Sequence, residues 1–328
     1  MRELIVSFPS QLKHAIEIGK NSKLTPNKKS ISNVLICGLG GSGIGGKIMS
    51  ELVSDHCPIP VLTNNTYSIP SFVDENTLVI ISSYSGNTEE TVQAMKHAQN
   101  SGAQIAAITS GGSVLEMVQE NGHNHILIPG GHPPRSQFGY SIVSQLFLFH
   151  HYRLISDEIF EAHKTLPEFL SDAQDSIIAE AKTISEAIRN NLPILYSDDA
   201  IEGVTVRWRQ QLNENSKMLC WHHVFPELNH NELVGWDGGD DRFVVLILHS
   251  SEDHPRNQKR MEITKEWIEQ KRAEVVQIHA KGDNRLQRMI SLVNLGDWVS
   301  LLLAEQKGCD PVTIDAIDHL KSELAKLA

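Results

Sequence analysis

The sequence predicts an α/β protein built on parallel sheets with helices on both faces. Two observations predict it. Short apolar runs of strand length, such as Val34-Leu35-Ile36-Cys37, Leu78-Val79-Ile80-Ile81 and Phe243-Val244-Val245-Leu246-Ile247-Leu248, alternate with segments of helical spacing. Two Gly- and Ser-rich stretches, Gly38 to Gly46 and Ser82 to Thr91, each follow directly on one of these strands and lead into a helix. Ligands of such sheets sit at the carboxyl ends of strands, and both stretches fall there.

In chain order, residues 3–20 have helical spacing and 21–32 form a polar connection. A strand over 34–37 closes into the glycine turn, and a helix is expected from about Lys47 to Val53. Strands follow near 60–62, 78–81, 104–108 and 125–128, with helices between several of them. From about 141 to 190 the pattern is helical, a long connection with a domain boundary near Arg153. Strands resume at 192–197, 243–248 and 275–278, with helices around 204–217, 259–270 and 285–305. The expected division is 1–153 and 154–328, and 328 residues suffice for two domains that each bury a core.

A net charge of −11 argues against general nucleic-acid binding and anionic membrane surfaces, so any positive potential must be built locally. The four cysteines, Cys37, Cys57, Cys220 and Cys309, are dispersed without a CxxC pair, which fits reduced thiols. No signal-peptide core or bilayer-length apolar run is present, and a cytoplasmic location is expected.

Ser83, Ser85 and Thr88 surround one glycine at a strand-to-helix turn. Their hydroxyls can converge with the free N–H groups and partial positive charge of the helix start, a cradle for phosphate that needs no basic residue. An ordinary capped helix start is the plainer alternative. Gly38-x-Gly40-x-x-Gly43 also matches a dinucleotide turn, but the ribose-binding acid is missing where it should close the next strand, with Asp74 far out of register.

These residues carry a resemblance. GLGGSGIGG (Gly38–Gly46) and SYSGNTEET (Ser83–Thr91) resemble the first domain of the sugar isomerase (SIS) superfamily. With Pro134-Arg135-Ser136, Asn213-Glu214-Asn215-Ser216-Lys217 and the PELNHNELVGW string from Pro226 to Trp236, they resemble the bifunctional phosphoglucose/phosphomannose isomerase family. The resemblance implies two SIS domains, each a flavodoxin-like parallel sheet flanked by helices, in a homodimer. It implies interconversion of aldose 6-phosphates with fructose 6-phosphate, without metal or organic cofactor. Gly41, Ser42, Ser83, Ser85 and Thr88 would bind the sugar phosphate, and Arg135 would sit over the reacting carbons. Glu214 would be the base, His230 would assist ring opening from the neighbouring subunit, and Lys321 is the match for a C-terminal lysine of the family site. Ser136-Gln137 departs from the small apolar residues expected after the Pro-Arg pair.

The chemistry fits those residue types. Aldose–ketose isomerisation moves a proton between C2 and C1 through a cis-enediol(ate), and one carboxylate can serve both carbons. The enediolate needs a donor that stays protonated, which an arginine supplies. Ring opening moves a proton between O1 and O5, work suited to a histidine, with Lys321 as an alternative donor. Thr313 is a candidate contributor to rotation about C2–C3, which would admit mannose 6-phosphate. His222, His223 and His230 with Glu227 and Glu232 raise a zinc site, which the divergent directions of adjacent histidines disfavour. Two competing readings stay open, a phosphosugar sensor without turnover and an isomerase of another sugar phosphate. No DNA-binding extension is visible at either end.

Overall fold

In the computed structural model, which describes residues 1–27 and 29–327, the first half of the chain is organised by a five-stranded parallel sheet. Two helices precede it, α1 (Arg2–Val6) and α2 (Phe8–Asn21). The single helix expected over 3–20 is broken at Ser7, because Pro9 in the first turn of α2 has no N–H to continue the ladder. Then come β1 (Asn33–Cys37), α3 (Gly40–Leu52), β2 (Val61–Asn64), β3 (Thr77–Ser83) and α4 (Glu89–Asn100). β4 (Gln104–Thr109), α5 (Gly112–Glu120), β5 (Asn124–Leu127), a 3₁₀ turn at Pro134–Ser136 and α6 (Phe138–His151) complete this half.

The strand order is β2-β1-β3-β4-β5, so the strands are laid down outward in opposite senses on either side of the gap between β1 and β3. That is the switch point of an open parallel sheet, and both Gly/Ser-rich stretches leave it. β3 is buried along its whole length, with Val79 between Leu35 and Ile105 in register. Each fully buried aliphatic side chain there contributes about 1.5–3 kcal/mol.

The second half follows through α7 (Asp157–Glu161) and α8 (Leu166–Ile188). β6 (Leu192–Asp198), α9 (Glu202–Ser216), β7 (Trp221–Phe225), α10 (Glu232–Gly235), β8 (Phe243–His249), α11 (Pro255–Glu269) and β9 (Glu274–His279) build a second parallel sheet ordered β7-β6-β8-β9. α12 (Arg285–Lys307) and α13 (Asp315–Leu324) close the chain. The result is two parallel sheets, of five and four strands, each flanked by helices. The edge strand β7 escapes the sequence pattern, since Trp221 is exposed, residues 222–224 are only partly buried, and two of them are histidines.

One apolar core joins the halves, running from Ile36 and Ile48 through Val204 and Trp208 to Leu246. α9 lies against both α3 and α12. Gly296 makes the second contact possible, because a Cβ there would stand 2.6 Å from the Trp208 ring. The Trp208 indole N–H donates to the Leu292 carbonyl at 2.8 Å. α9 is therefore fixed between the two halves, and Glu214 rides on its last turn.

The largest departure from the sequence pattern is α3. The run Gly40 to Gly46, expected as a turn, is the opening of that helix. Glycine is a poor helix former, so the pattern pointed elsewhere; close packing overrides it. A Cβ at Gly43 would lie 2.4 Å from the Gly38 carbonyl, at Gly45 2.3 Å from Ser141 Oγ, and at Gly46 2.6 Å from Ile36.

Candidate active site

The predicted phosphate-binding residues converge at the carboxyl ends of β1 and β3. The Ser42 hydroxyl accepts the Tyr84 N–H at 3.0 Å, and Ser82 Oγ donates to the Ser42 carbonyl at 3.2 Å, tying the start of α3 to the end of β3. Ser83 Oγ donates to Thr88 Oγ1 at 3.3 Å, and Ser85 Oγ accepts the Asn87 N–H at 3.2 Å. Thr88 is the N-cap of α4, yet neither α3 nor α4 has a side-chain cap on its N-terminus. The ordinary-cap reading of these hydroxyls is thereby weakened, since the end donors of both helices have no side-chain acceptor. Ser83 is buried and Ser85 exposed, so the hydroxyls run from the sheet edge outward.

The loop after β3 is built on close backbone contact. Gly86 has φ +70°, and a Cβ there would stand 1.7 Å from the Gly111 carbonyl. Only glycine combines that conformation with that approach.

The corresponding edge of the second sheet is of opposite character. Asp198 and Asp253 are buried there, with Asn257 Nδ2 donating to Asp198 at 2.8 Å. Burial, partly offset by the Ser250 N–H and reinforced by the Asp198 charge, pushes the Asp253 carboxyl up to about 7. The two sheet edges thus differ, with buried carboxyls at the second and hydroxyls and helix starts at the first.

Arg135 is the junction of the site. Its 3₁₀ turn rests on the start of α3, where a Cβ on Gly41 would lie 3.1 Å from the Arg135 backbone nitrogen. The guanidinium is buried and almost fully committed. Nε donates to Asn215 Oδ1 at 2.8 Å, Nη2 to the carbonyls of Pro311 at 2.6 Å and Val312 at 3.0 Å, and Nη1 stands 3.2 Å from Glu214 Oε2. Burial pulls the Arg135 pKa below its ordinary value, while Glu214 and Asp310 pull it upward. An arginine remains cationic through such opposing pulls.

The predicted arginine and the predicted base are thus an ion pair, next to the Gly41 turn that opens α3. The Glu214 side chain keeps about a quarter of its surface open to solvent, so the pair faces outward at the carboxylate.

Two residues of the Asn213–Lys217 string for which the sequence suggested no role of their own take part. Asn215, fully buried, holds Arg135 and donates from Nδ2 to Ser300 Oγ at 3.0 Å. Lys217 sits in the left-handed region at φ 51°, and its Nζ donates to the carbonyls of Glu214 (2.7 Å), Asp310 (2.5 Å) and Thr313 (2.9 Å). Four consecutive carbonyls, Asp310 to Thr313, are therefore bound by Arg135 or Lys217. Thr313 joins the site through this backbone contact. The signal was present in the NENSK string, but which residue faces which partner depends on contacts across the chain.

His230 and Lys321 are not brought to the pair. Neither makes a side-chain hydrogen bond or ion pair among the described residues. His230 is exposed, at the end of a turn whose other members are well braced. Asn229 Nδ2 donates to Thr264 Oγ1 at 2.9 Å, Asn231 Oδ1 accepts the Glu232 N–H at 2.6 Å, and Glu232 accepts from the Trp221 indole at 3.0 Å and from the Tyr196 hydroxyl. Lys321 lies on α13, none of whose residues is buried. His222 pairs with Glu202 at 3.6 Å and His223 Nδ1 accepts the Val224 N–H at 2.8 Å. Among the described residues no three His, Cys, Asp or Glu side chains are grouped to hold a metal ion.

Comparison with known proteins agrees with this architecture. The SIS domain family model matches residues 29–153, and that of the bacterial phospho-glucose isomerase C-terminal SIS domain matches 177–324. A bifunctional phosphoglucose/phosphomannose isomerase of Caldicellulosiruptor bescii is 42% identical, covering 100% of this chain and 99% of the relative. One from Aquifex aeolicus is 35% identical and covers 93% of each chain. Among solved structures, the C-terminal domain of glucosamine-fructose-6-phosphate aminotransferase from Francisella tularensis superposes with a TM-score of 0.74 at 13% identity, covering 95% of this chain and 98% of that one. That likeness speaks to the fold.

Proposed function

Because the chain belongs to the bifunctional phosphoglucose/phosphomannose isomerase family, we propose that it interconverts glucose 6-phosphate and mannose 6-phosphate with fructose 6-phosphate through a cis-enediolate, with Glu214 as the base. The observation that carries this mechanism is the 3.2 Å pair of Arg135 and Glu214 beside an anion cradle.

The substrate phosphate occupies the turn formed by Gly41, Ser42, Ser83, Ser85 and Thr88, held by hydroxyls and the helix N-termini. Glu214 takes the proton from C2 of the open-chain aldose and returns it to C1. Arg135, fixed by Asn215 and two carbonyls, stabilises the enediolate oxygens without reorganising. A base that serves both faces of the enediol after rotation about C2–C3 accepts the mannose epimer, and Thr313 lies on the strap beside the pair.

Ring opening is assigned to His230 of a second copy in a homodimer, with Lys321 as a further donor toward O5. Support comes from the braced but exposed His230 turn and from the apolar surface on the same stretch, where Leu219 is 83% and Val234 73% exposed. No described helix is long and apolar enough to cross a membrane, which accords with a cytoplasmic enzyme of hexose phosphate metabolism.

The test is a coupled assay with fructose 6-phosphate, read separately for glucose 6-phosphate and mannose 6-phosphate in excess EDTA. Both aldoses are expected, at rates EDTA leaves unchanged. Glucose 6-phosphate alone would remove the second activity. Binding without either product would replace the isomerase by a sensor.

A further inference from the structure

Arg207 lies on α9 two turns before Glu214 and is among the largest fully buried side chains of the protein. Its Nη2 donates to both carboxylate oxygens of Asp297 on α12, at 2.9 and 2.8 Å, and to the backbone carbonyl of Arg135 at 3.1 Å. The guanidinium carbon stands 4.5 Å over the Phe138 ring. Gln211, one turn on, donates to Asp297 at 2.6 Å, and Asn215, one turn further, bonds Ser300. Arg207, Gln211 and Asn215 thus form one polar seam between α9 and α12, and its two ends both grip Arg135. Asn215 holds the guanidinium and Arg207 the main chain.

A buried ion pair is a poor device for stability alone. Packed apolar residues of similar volume usually serve as well or better, because two charges need not be desolvated. The seam therefore calls for a reason other than stability, and the Arg135 carbonyl supplies one. Arg207 is 2% exposed and its guanidinium is taken up by Asp297, the Arg135 carbonyl and the Phe138 ring, so it is placed to act on Arg135 and not on a bound sugar.

We infer that Arg207, with Asp297 as its counter-ion, is a positioning residue that sets where the Arg135 guanidinium stands relative to Glu214, an inference that rests on the isomerase reading. The phosphate cradle is built from other elements. Loss of the seam should therefore lower turnover and leave substrate binding largely intact, since a displacement of about 1 Å at a reacting centre costs on the order of 10²-fold.

The test replaces the polar trio together, Arg207→Met/Gln211→Met/Asp297→Leu, so that no buried charge is left unpaired. Urea unfolding is expected near the wild-type midpoint, KM within about threefold and kcat lower by about 10²-fold. A folded variant with wild-type kcat overturns the inference. If the triple variant fails to fold, Arg207→Lys carries the test. It keeps the charge beside Asp297, but the shorter side chain loses the planar face 4.5 Å over Phe138 and does not reach the place where Nη2 meets both the carboxylate and the carbonyl. A fall of about tenfold in kcat with KM kept is expected there, and an unchanged kcat is contrary. Wild-type turnover is read alongside; an inactive wild type strikes the isomerase reading instead. Crystal structures of the variants then decide without turnover. Arg135 displaced from its 2.8 Å contact with Asn215 supports the inference, and Arg135 unmoved overturns it.

Discussion

Glu214→Gln is expected to lower kcat for both aldose products by roughly 10²- to 10⁴-fold, the range a positioned general base supplies. The amide keeps the size of the side chain and can still accept a hydrogen bond from Arg135, but it cannot carry a proton from C2 to C1. Folding should change little, because Glu214 is partly exposed and its one ion pair is to an arginine with three other acceptors. The measurement is steady-state kinetics beside urea unfolding. A fall in kcat with KM and midpoint preserved assigns the loss to chemistry. A fall that tracks lost stability would not support Glu214 as the base.

The second large effect is expected at Arg135. Arg135→Lys keeps the charge but cannot serve Asn215, Glu214 and the carbonyls of Pro311 and Val312 together. Loss of a preorganised donor at a developing oxyanion reduces kcat by about 10²- to 10³-fold. This variant should also lose stability, about 2 kcal/mol, because buried acceptors are left without donors. The two costs separate the arginine from the glutamate. Glu214→Gln lowers rate alone, whereas Arg135→Lys lowers rate and also loosens the 310–313 strap, which limited proteolysis of the C-terminal segment would report.

The convergence of Ser42, Ser83, Ser85 and Thr88 at one sheet edge was legible in the sequence, because strand, turn and helix start are all local. The parallel sheets were legible for the same reason, as apolar runs of strand length separated by helices. The helical glycines of α3 were not, since nothing local reveals that Gly38, Ile36 and Ser141 crowd that helix. Arg135 and its partner Asn215 lie 80 residues apart, and their contact depends on how α9 is wedged between α3 and α12. The seam from Arg207 to Asn215 was also unread, because buried polar residues at helical spacing look like a solvated face until the opposing helix is known. His230 is the reverse case. Its surrounding string is distinctive in sequence, yet within one chain it faces solvent, since the partner proposed for it is a second copy.

Glucose 6-phosphate deuterated at C2 tests directly whether Glu214 moves one proton between C2 and C1, with the label followed into fructose 6-phosphate and into water for wild type and Glu214→Gln. The prediction is deuterium divided between C1 of the product and solvent, with both fluxes falling in the variant in step with turnover. Complete retention at C1 with no loss to water, the mark of a hydride shift, would contradict it, as would a variant that moves the label at the wild-type rate.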